Sequence, residues 1–287
     1  MDREAITDFF KRIDLASEGC DTFYDLYRRM SSSDFEEGVG RAREALYISD
    51  KAFGEEISAF AEGEKIRVEE LNLFLFIYFA FDTLEEYIKR GICDDIFYAT
   101  FLDITIVCRV CMHKNGIYGI PQDVYREWLR ELLLCKIYRL GRLEFEISES
   151  KYDLPEYGIK VGDACIYTHI PRYEPLELEA CEASYDAARS FFRVFYGIEH
   201  CVFFCDSWLL HPWLREDLPA NSRIRMFSEK YSLLEVNESR EAVLNWVFPF
   251  MEHLSISELP QDTYLRRAAV KRMMNGKPIG EAVGVRL

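Results

Sequence analysis

The hydrophobic period of this chain changes once, near Tyr138. Before that point apolar residues recur every three or four positions, which is the spacing of amphipathic helices. In residues 142–148 (RLEFEIS) apolar and polar residues alternate instead, the period of a strand with one solvated face. Because the two periods occupy successive halves, we predict the α+β class: an all-helical N-terminal domain, residues 1–137, followed by a mixed α/β C-terminal domain, residues 138–287.

Capping and terminating residues divide the helical half. A helix predicted at residues 67–90 is followed by Gly91, and residues 94–113 form a second long apolar stretch. Ser33 precedes an acid-rich segment as an N-cap does, and Pro121 stands before a further apolar helical pattern, proline being favoured at the first helical position. We therefore predict helices that begin after Ser33 and at Pro121, in addition to the two long ones.

Two short apolar runs in the second half have the composition of strands covered on both faces. They are residues 164–170 (ACIYTHI) and 201–205 (CVFFC), and a helix is predicted to start between them near Glu179. Strand, helix and strand within about 40 residues form a βαβ unit, whose two strands must be parallel.

The rest of this half is predicted from weaker patterns. Residues 224–236 are typical of one long strand, with a bulge or bend near Ser228 where the alternation breaks. The remaining predicted elements are helices at 238–250 and 262–275, the second capped by Asp262 or Thr263, and a closing strand at 281–287.

Composition limits the partners and the location of the protein. Its 50 acidic and 35 basic residues give a formal charge of −15, a poor match to a phosphate backbone, which clustered Lys and Arg bind. The N-terminus is charged where a secretory signal is apolar, and the longest apolar run, residues 73–81, is far shorter than the roughly 20 residues that cross a bilayer. We expect a cytoplasmic protein with no nucleic-acid partner and no membrane segment.

The nine cysteines are scattered without the spacing of a disulfide framework, which indicates reduced thiols. Cys108, Cys111 and His113 form a C-x-x-C-x-H pattern. A structural zinc site needs four ligands, however, and no second pair with that spacing follows. Cysteine is among the most buried residue types, so these side chains are expected in a core and no metal is expected.

The βαβ unit brings several polar side chains together. Ligands of open α/β sheets bind at the carboxyl ends of parallel strands, beside the N-terminus of the crossover helix. Here the first strand ends at His169, before a loop that contains Arg172, and the second ends at Asp206, Ser207 and Trp208. An imidazole, a carboxylate and a hydroxyl beside a cation are suited to acid–base chemistry next to a bound anion.

Four segments of the chain carry a resemblance. They are Tyr138–Ile147 (YRLGRLEFEI), His169–Phe192 (HIPRYEPLELEACEASYDAARSFF), Cys205–Phe227 (CDSWLLHPWLREDLPANSRIRMF) and Leu259–Ala268 (LPQDTYLRRA). Together they resemble the blocks of bacterial two-domain N-acyltransferases, in which a helical N-terminal domain precedes a GNAT-like C-terminal domain. The resemblance implies this architecture here.

The resemblance also implies an acyl-CoA co-substrate, with acetyl-CoA as the expected form. The thioester would lie in a gap between two splayed parallel strands at Ile166 and Phe203, with the pantetheine along the first strand and the pyrophosphate at the loop that follows. The residues carried over as acyl-CoA contacts are Ile166, Tyr167, Ile170, Pro171, Arg172, Leu176 and Trp208.

The implied acceptor is an amine, either a small molecule or a peptide. An amine attacks a thioester only when deprotonated, and an alkyl amine with a pKa of roughly 10 needs a base at neutral pH. His169 and Asp206 are the predicted bases, and Ser207 is predicted to protonate the departing thiolate or to orient a water. No cysteine stands in a context typical of a nucleophile, so we predict direct transfer.

Two departures from the family pattern leave a second interpretation open. The loop at residues 172–177 (RYEPLE) has no glycine, and Glu174 stands where the family has glycine. No tyrosine occurs from Asp206 to Lys230, where enzymes of this type often have a general acid. The alternative is a non-catalytic GNAT-like module that binds CoA or a peptide as a sensor or an interaction protein.

Overall fold

A computed structural model describes residues 3–172 and 174–287. The chain folds into two compact units, one ending at Arg139 and the other comprising Leu140–Leu287. The first unit is helical until its last residues, and the second combines a mixed sheet with helices. The predicted α+β class, a helical domain followed by a mixed one, is confirmed.

Seven α-helices form the described part of the first unit. They are α1 (Arg3–Arg12), α2 (Ser17–Tyr27), α3 (Ser33–Ile48), α4 (Asp50–Glu64), α5 (Val68–Arg90), α6 (Asp94–Asn115) and α7 (Val124–Leu133). Helix α5 provides much of the core: the Phe74 ring lies 5.3 Å from that of Phe23 in α2 and 5.8 Å from that of Phe35 in α3, measured between centroids. Aromatic packing therefore joins three helices across the sequence.

The helix ends show which capping signals were decisive. Gly91 follows α5 in the left-handed conformation with φ of 73°, as predicted. The prediction for Pro121 was wrong, because Asp123 caps α7: its Oδ1 accepts a hydrogen bond from the Tyr125 N–H at 3.0 Å, and the helix begins at Val124. The prediction for Ser33 was wrong by one residue, since α3 begins there and Ser32 holds the extended N-cap conformation.

Helix α6 is long and apolar enough to cross a membrane by length and composition alone. It has 22 residues, and its most apolar 18-residue window has a mean hydropathy of 1.5 and is 56% buried inside the protein. Its Asp103 accepts a hydrogen bond from the Trp128 indole at 2.5 Å, and its Thr105 donates one to the Ile13 carbonyl at 2.7 Å. These buried polar contacts are those of a core helix, a class that passes the same test.

A six-stranded sheet of order β1-β2-β3-β4-β6-β5 organises the second unit. Its strands are β1 (Ile137–Leu140), β2 (Leu143–Glu149), β3 (Ala164–His169), β4 (Phe203–Ser207), β5 (Ser232–Glu238) and β6 (Gly280–Arg286). Strands β3 and β4 pair in parallel, and α8 (Leu178–Tyr196) connects them; the β2–β3, β4–β6 and β5–β6 pairs are antiparallel. The predicted βαβ unit and closing strand are confirmed.

The long strand predicted at residues 224–236 is wrong. This segment forms helix α10 (Arg223–Ser228) and then, after a turn, strand β5, whose bulge falls between Leu233 and Glu235. Arg215 fixes the turn, because its guanidinium donates to the carbonyls of Ser228 and Tyr231. The remaining helices are α9 (Trp213–Asp217), α11 (Arg240–Val247) and α12 (Tyr264–Met274), the last capped by Thr263 as predicted.

Two glycines of α3 provide a test of the packing of the helical unit. A Cβ added at Gly38 would lie 2.4 Å from a ring carbon of the buried Phe60, whereas one added at Gly40 would meet no atom of the described residues within 4 Å. We expect Gly38→Ala to destabilise by about 1–3 kcal/mol through overpacking. Gly40→Ala should stabilise by roughly 0.5–1 kcal/mol, because alanine loses less conformational freedom in a helix. Urea midpoints from circular dichroism measure both; a midpoint for Gly38→Ala at or above that of Gly40→Ala contradicts the packing.

Candidate active site

The parallel ladder between β3 and β4 is short. Within the described residues it contains two pairs, Ile166 with Phe203 and Tyr167 with Phe204. Beyond them each strand keeps its outer partner: β3 pairs with β2 through His169, and β4 pairs with β6 through Ser207. The ladder therefore ends after the Tyr167–Phe204 pair, whereas the resemblance places the gap at Ile166 and Phe203, which are paired here.

Strand alternation assigns the candidate side chains to two faces of the sheet. The Tyr167 ring stacks on Phe204 with centroids 5.6 Å apart, so His169 and Asp206, each two residues further along, share their face. The Phe203 ring packs on Tyr185 of α8 at 4.9 Å, which places Ser207 on the opposite, α8 face. The structure thus brings together His169 and Asp206 but not Ser207.

His169 has a carboxylate partner from β2. Its Nε2 lies 2.9 Å from Oε2 of Glu146, and the two side chains are 30% and 26% exposed. A carboxylate in this position orients the ring and favours the tautomer with the proton on Nε2, which leaves the lone pair on Nδ1. Sequence reasoning missed Glu146, because the pairing of β2 with β3 that brings the two side chains together has no local signal.

Asp206 is exposed and stands among other carboxyl groups. Loss of hydration raises the pKa of Asp206, and the Glu235 carboxylate raises it further, while Lys151 and His169 oppose the shift. Loss of hydration likewise raises the pKa of Glu281, and Asp206 adds to it. This face of the sheet therefore combines a titratable carboxyl and an imidazole with a negative potential.

Ser207 and Trp208 have structural contacts. The Ser207 Oγ accepts a hydrogen bond from the Leu209 N–H at 3.2 Å and so caps a single 3₁₀ turn, Trp208–Leu210. Trp208 is partly buried against the apolar cluster around Trp213, which is completely buried. Both residues therefore help to end β4 and to anchor the segment that follows it.

The loop after β3 presents a cation. Pro171 is buried, Ile170 and Leu176 are partly buried, and residue 173 of this predicted phosphate loop lies outside the described residues. The Arg172 guanidinium stacks on the Trp246 ring with 3.9 Å between Cζ and the centroid, and its Nη2 lies 3.5 Å from the Asn245 carbonyl. Stacking on an exposed indole holds the charge in place.

Two buried tyrosines lie on the α8 face. The Tyr185 and Tyr231 hydroxyls are hydrogen-bonded to each other, and burial raises the pKa of both, with Cys205 among the neighbouring groups. Arg286 stands 3.9 Å above the Tyr185 ring. Tyr231 directly follows the tyrosine-free stretch from Asp206 to Lys230. Because it is far from β4 in the sequence, sequence reasoning missed that its hydroxyl lies near this strand in the fold.

Sequence comparison assigns both halves of the chain. Residues 4–135 match the N-acyltransferase N-terminal domain, and residues 137–286 match the GNAT-like C-terminal domain. The chain belongs to this two-domain N-acyltransferase family. The resemblance and the acyltransferase class expected from the sequence are thereby confirmed. No curated protein matches the sequence.

Solved structures share the fold. An acyltransferase variant bound to octanoyl-CoA has a TM-score of 0.74 at 19% identity, and an acyltransferase bound to decanoyl-CoA and teicoplanin has 0.72 at 19%; each match covers 99% of this chain and 87% of the other. An acyltransferase bound to CoA and 10C-teicoplanin has 0.67 at 20%, with coverage of 92% and 75%. The N-acyltransferase architecture is thus shared along almost the whole chain.

One group in the helical unit of this family member has the spacing of metal ligands. Among the described residues, Cys93, Asp94 and Asp95 are exposed and place their ligand atoms within 4.8 Å of one another. Arg12 already binds both carboxylates at 2.7 Å and lowers the pKa of Asp94 through that hydrogen bond.

Cys108 and Cys111 are buried as expected, and burial raises the pKa of both thiols.

The raised pKa of Asp206 predicts a pH-dependent stability cost. Its folded pKa lies above its unfolded value, so stability falls as the pH rises from about 4 through the folded pKa. We expect Asp206→Asn to have a higher melting temperature than the wild type at pH 7 and an equal one near pH 3.5. Asp153→Asn, at an exposed site outside the sheet, is the control. A melting temperature for Asp206→Asn at pH 7 equal to or below that of the wild type contradicts the assigned desolvation.

Proposed function

We propose that this protein is an acyl-CoA-dependent N-acyltransferase that transfers the acyl group directly to an amine. The observation that carries the proposal is the parallel β3–β4 ladder, which ends after the Tyr167–Phe204 pair inside a GNAT-like domain. Backbone N–H and C=O groups beyond that pair have no ladder partner across the gap within the described residues, and such groups need one. A pantetheine chain and a thioester carbonyl are suited to supply it.

The pyrophosphate of acyl-CoA is assigned to the loop before α8. The N-terminus of this helix offers backbone N–H groups and a positive dipole to an anion. Arg172 adds a cation on the same loop. The similar solved structures hold decanoyl-CoA or octanoyl-CoA, so the acyl series to be tested extends from acetyl to decanoyl.

The chemical step is assigned to side chains on both faces of the sheet, beside the opening. The acceptor binds as an ammonium ion and first gives one proton to solvent; the neutral amine nitrogen then attacks the thioester carbon and loses a second proton to His169, whose ring Glu146 orients. The C–S bond then breaks, and the thiolate takes a proton from a hydroxyl on the α8 face. Among the hydroxyls on that face, the Tyr231 hydroxyl, which is hydrogen-bonded to that of Tyr185, is favoured over Ser207, because Ser207 caps the turn after β4. The proton held by His169 restores the phenol through solvent.

The acceptor is proposed to be a cationic amine, a small molecule or a peptide. Asp206, Glu235 and Glu281 interact with one another on the His169 face, and the whole chain carries a formal charge of −15. A negative potential raises the local concentration of protonated amines and speeds their encounter. One similar structure contains teicoplanin, which supports the inclusion of glycopeptides among the acceptors tested.

A second candidate is a non-catalytic module that binds CoA or a peptide. The observation that favours it is Glu174, which is exposed in the loop where the family has glycine. A module of this kind binds acyl-CoA without releasing the CoA thiol from it, so a turnover assay distinguishes the module from the enzyme.

We also propose that the protein works in the cytoplasm. All nine cysteines, which lie within the described residues, are free thiols, and thiols persist in a reducing compartment. Cell fractionation tests this: recovery in an oxidising compartment contradicts it.

The binding and turnover experiment uses the full chain. We expect acyl-CoA to bind by isothermal titration calorimetry, and a thiol-release assay over cationic amines and glycopeptides to show amine-dependent CoA formation. Desulfo-CoA, which has no thioester, is the control and should bind without turnover. Binding of acyl-CoA with no release of thiol for any amine supports the second candidate instead, and no binding at millimolar concentration contradicts both the acyltransferase and a CoA-binding module.

His169→Ala should lower kcat by roughly 10²–10⁴-fold, because the amine then lacks a general base. Glu146→Gln should produce a smaller loss and move the acidic limb of the pH–rate profile, since it changes the orientation and charge environment of the ring. Ser207→Ala is the matched control at the other strand end; it should cost about 1 kcal/mol of stability through the lost cap while retaining most of kcat. Equal rates for His169→Ala and the wild type overturn the base assignment.

A further inference from the structure

A single buried arginine holds the loop between β3 and α8. Arg142 is 8% exposed and lies at the start of β2. Its Nε donates to the Pro175 carbonyl at 2.8 Å, and its Nη2 donates to the carbonyls of Pro171 at 3.2 Å and Glu174 at 2.9 Å. One guanidinium thus binds the beginning and the middle of the glycine-free loop.

The position of Arg142 is itself fixed by α8. Its backbone N–H donates to the Ser184 Oγ at 2.8 Å, and that hydroxyl donates to the Ala180 carbonyl at 2.8 Å. The preceding Gly141 has φ of 81°, and a Cβ built there would lie 2.9 Å from the Ser184 Oγ. The turn therefore packs directly against the first turns of α8, and the arginine, the helix and the loop form one rigid unit.

The inward carbonyls determine where the loop N–H groups point. In a planar trans peptide the N–H points opposite to the C=O of the same peptide unit. Because the Pro171 and Pro175 carbonyls point to Arg142, the N–H groups of Arg172 and Leu176 point away from it. The first-turn N–H groups of α8, which begins at Leu178, are exposed by the helix geometry itself. Together with the helix N-terminus, outward N–H groups of this kind offer hydrogen-bond donors to an anion.

Arg142 also places a permanent positive charge beneath the loop. Burial raises the pKa of Cys181 in the first turn of α8, and the Arg142 charge opposes that shift. Glu177, the residue before α8, is engaged by Arg223 with Nη1 and Oε1 2.6 Å apart. Arg223 thus neutralises one acidic residue of the loop, and Arg142 adds a positive charge on the side where an anion would bind.

We infer that Arg142 is a positioning residue that shapes the described loop residues, 171–172 and 174–177, into the pyrophosphate site of acyl-CoA. It takes the place of the glycines that otherwise allow such a loop to turn its N–H groups outward. The inference rests on the proposed function, because the ligand it assigns to the loop is the co-substrate of that reaction.

The test compares two acyl donors. Acyl-pantetheine carries the same thioester as acyl-CoA but no pyrophosphate. We expect Arg142→Gln to raise KM for acyl-CoA by about tenfold or more, while kcat/KM for acyl-pantetheine stays within about twofold of the wild type, since only the charged part of the donor contacts the loop. The preference for acyl-CoA over acyl-pantetheine should therefore collapse. Arg142→Lys, which keeps the charge but not the planar fork, should retain part of it.

Arg272→Gln is the matched control in the same unit. Arg272 is 6% exposed and donates from Nε to the Pro278 carbonyl at 2.6 Å, but it does not contact the loop. It should leave the donor preference unchanged. If Arg142→Gln and Arg272→Gln lower the rates with both donors equally, the loop role of Arg142 is overturned and its effect is one of stability alone. If Arg142→Gln fails to fold, Arg142→Lys gives the same comparison.

Binding separates this inference from the proposed function. Calorimetry with CoA and with pantetheine measures the contribution of the 3′-phospho-ADP group, which includes the pyrophosphate, without turnover. A wild type that binds CoA but releases no thiol contradicts the acyltransferase proposal, and a selective loss of CoA affinity in Arg142→Gln then still supports the loop role. Equal affinities of the wild type for CoA and pantetheine overturn the inference.

Discussion

The early end of the ladder between β3 and β4 is the constraint on which the second unit depends. Two parallel strands are joined by two pairs and then part, although each continues to pair on its outer side. Because β2 and β6 hold the outer edges, the opening is a feature of a rigid sheet and not of a frayed one. Unpaired backbone groups at such a place cost free energy unless water or a ligand satisfies them, and the opening is therefore suited to binding an extended molecule.

Periodicity was sufficient for the elements that bury one face. The runs that became β3 and β4 and the helix between them follow from hydrophobic pattern alone, because each is covered by its neighbours in the way the pattern implies. The strand predicted at residues 224–236 was wrong because the apolar residues there fit both the helical and the strand period. The helix, turn and strand that form instead are stabilised by Arg215, which lies upstream in the sequence and binds the carbonyls of Ser228 and Tyr231. Tertiary contacts of this kind override local propensity and are invisible in a local window.

The candidate site was predictable to the extent that it lies on β3 and β4. His169 and Asp206 were found because both end parallel strands, and strand parity then places them on one face while it places Ser207 on the other. The partners of these residues come from distant segments: Glu146 through the register of β2, and Tyr231 through the turn before β5. Neither position is marked by composition or spacing, since only the pairing of the sheet gives them neighbours.

Charge is arranged within the second unit in a way that the total of −15 conceals. Carboxylates collect on the His169 face of the sheet, where Asp206 interacts with Glu235 and Glu281. The loop before α8 instead has two guanidinium groups: that of Arg142 hydrogen-bonds to the loop from beneath, and that of Arg172 stacks on Trp246. Electrostatic interactions weaken over about 10 Å in physiological salt, so local charge and not net charge decides what each place binds. An acidic chain can therefore hold an anionic donor at the helix N-terminus and attract a cationic acceptor to the opposite face.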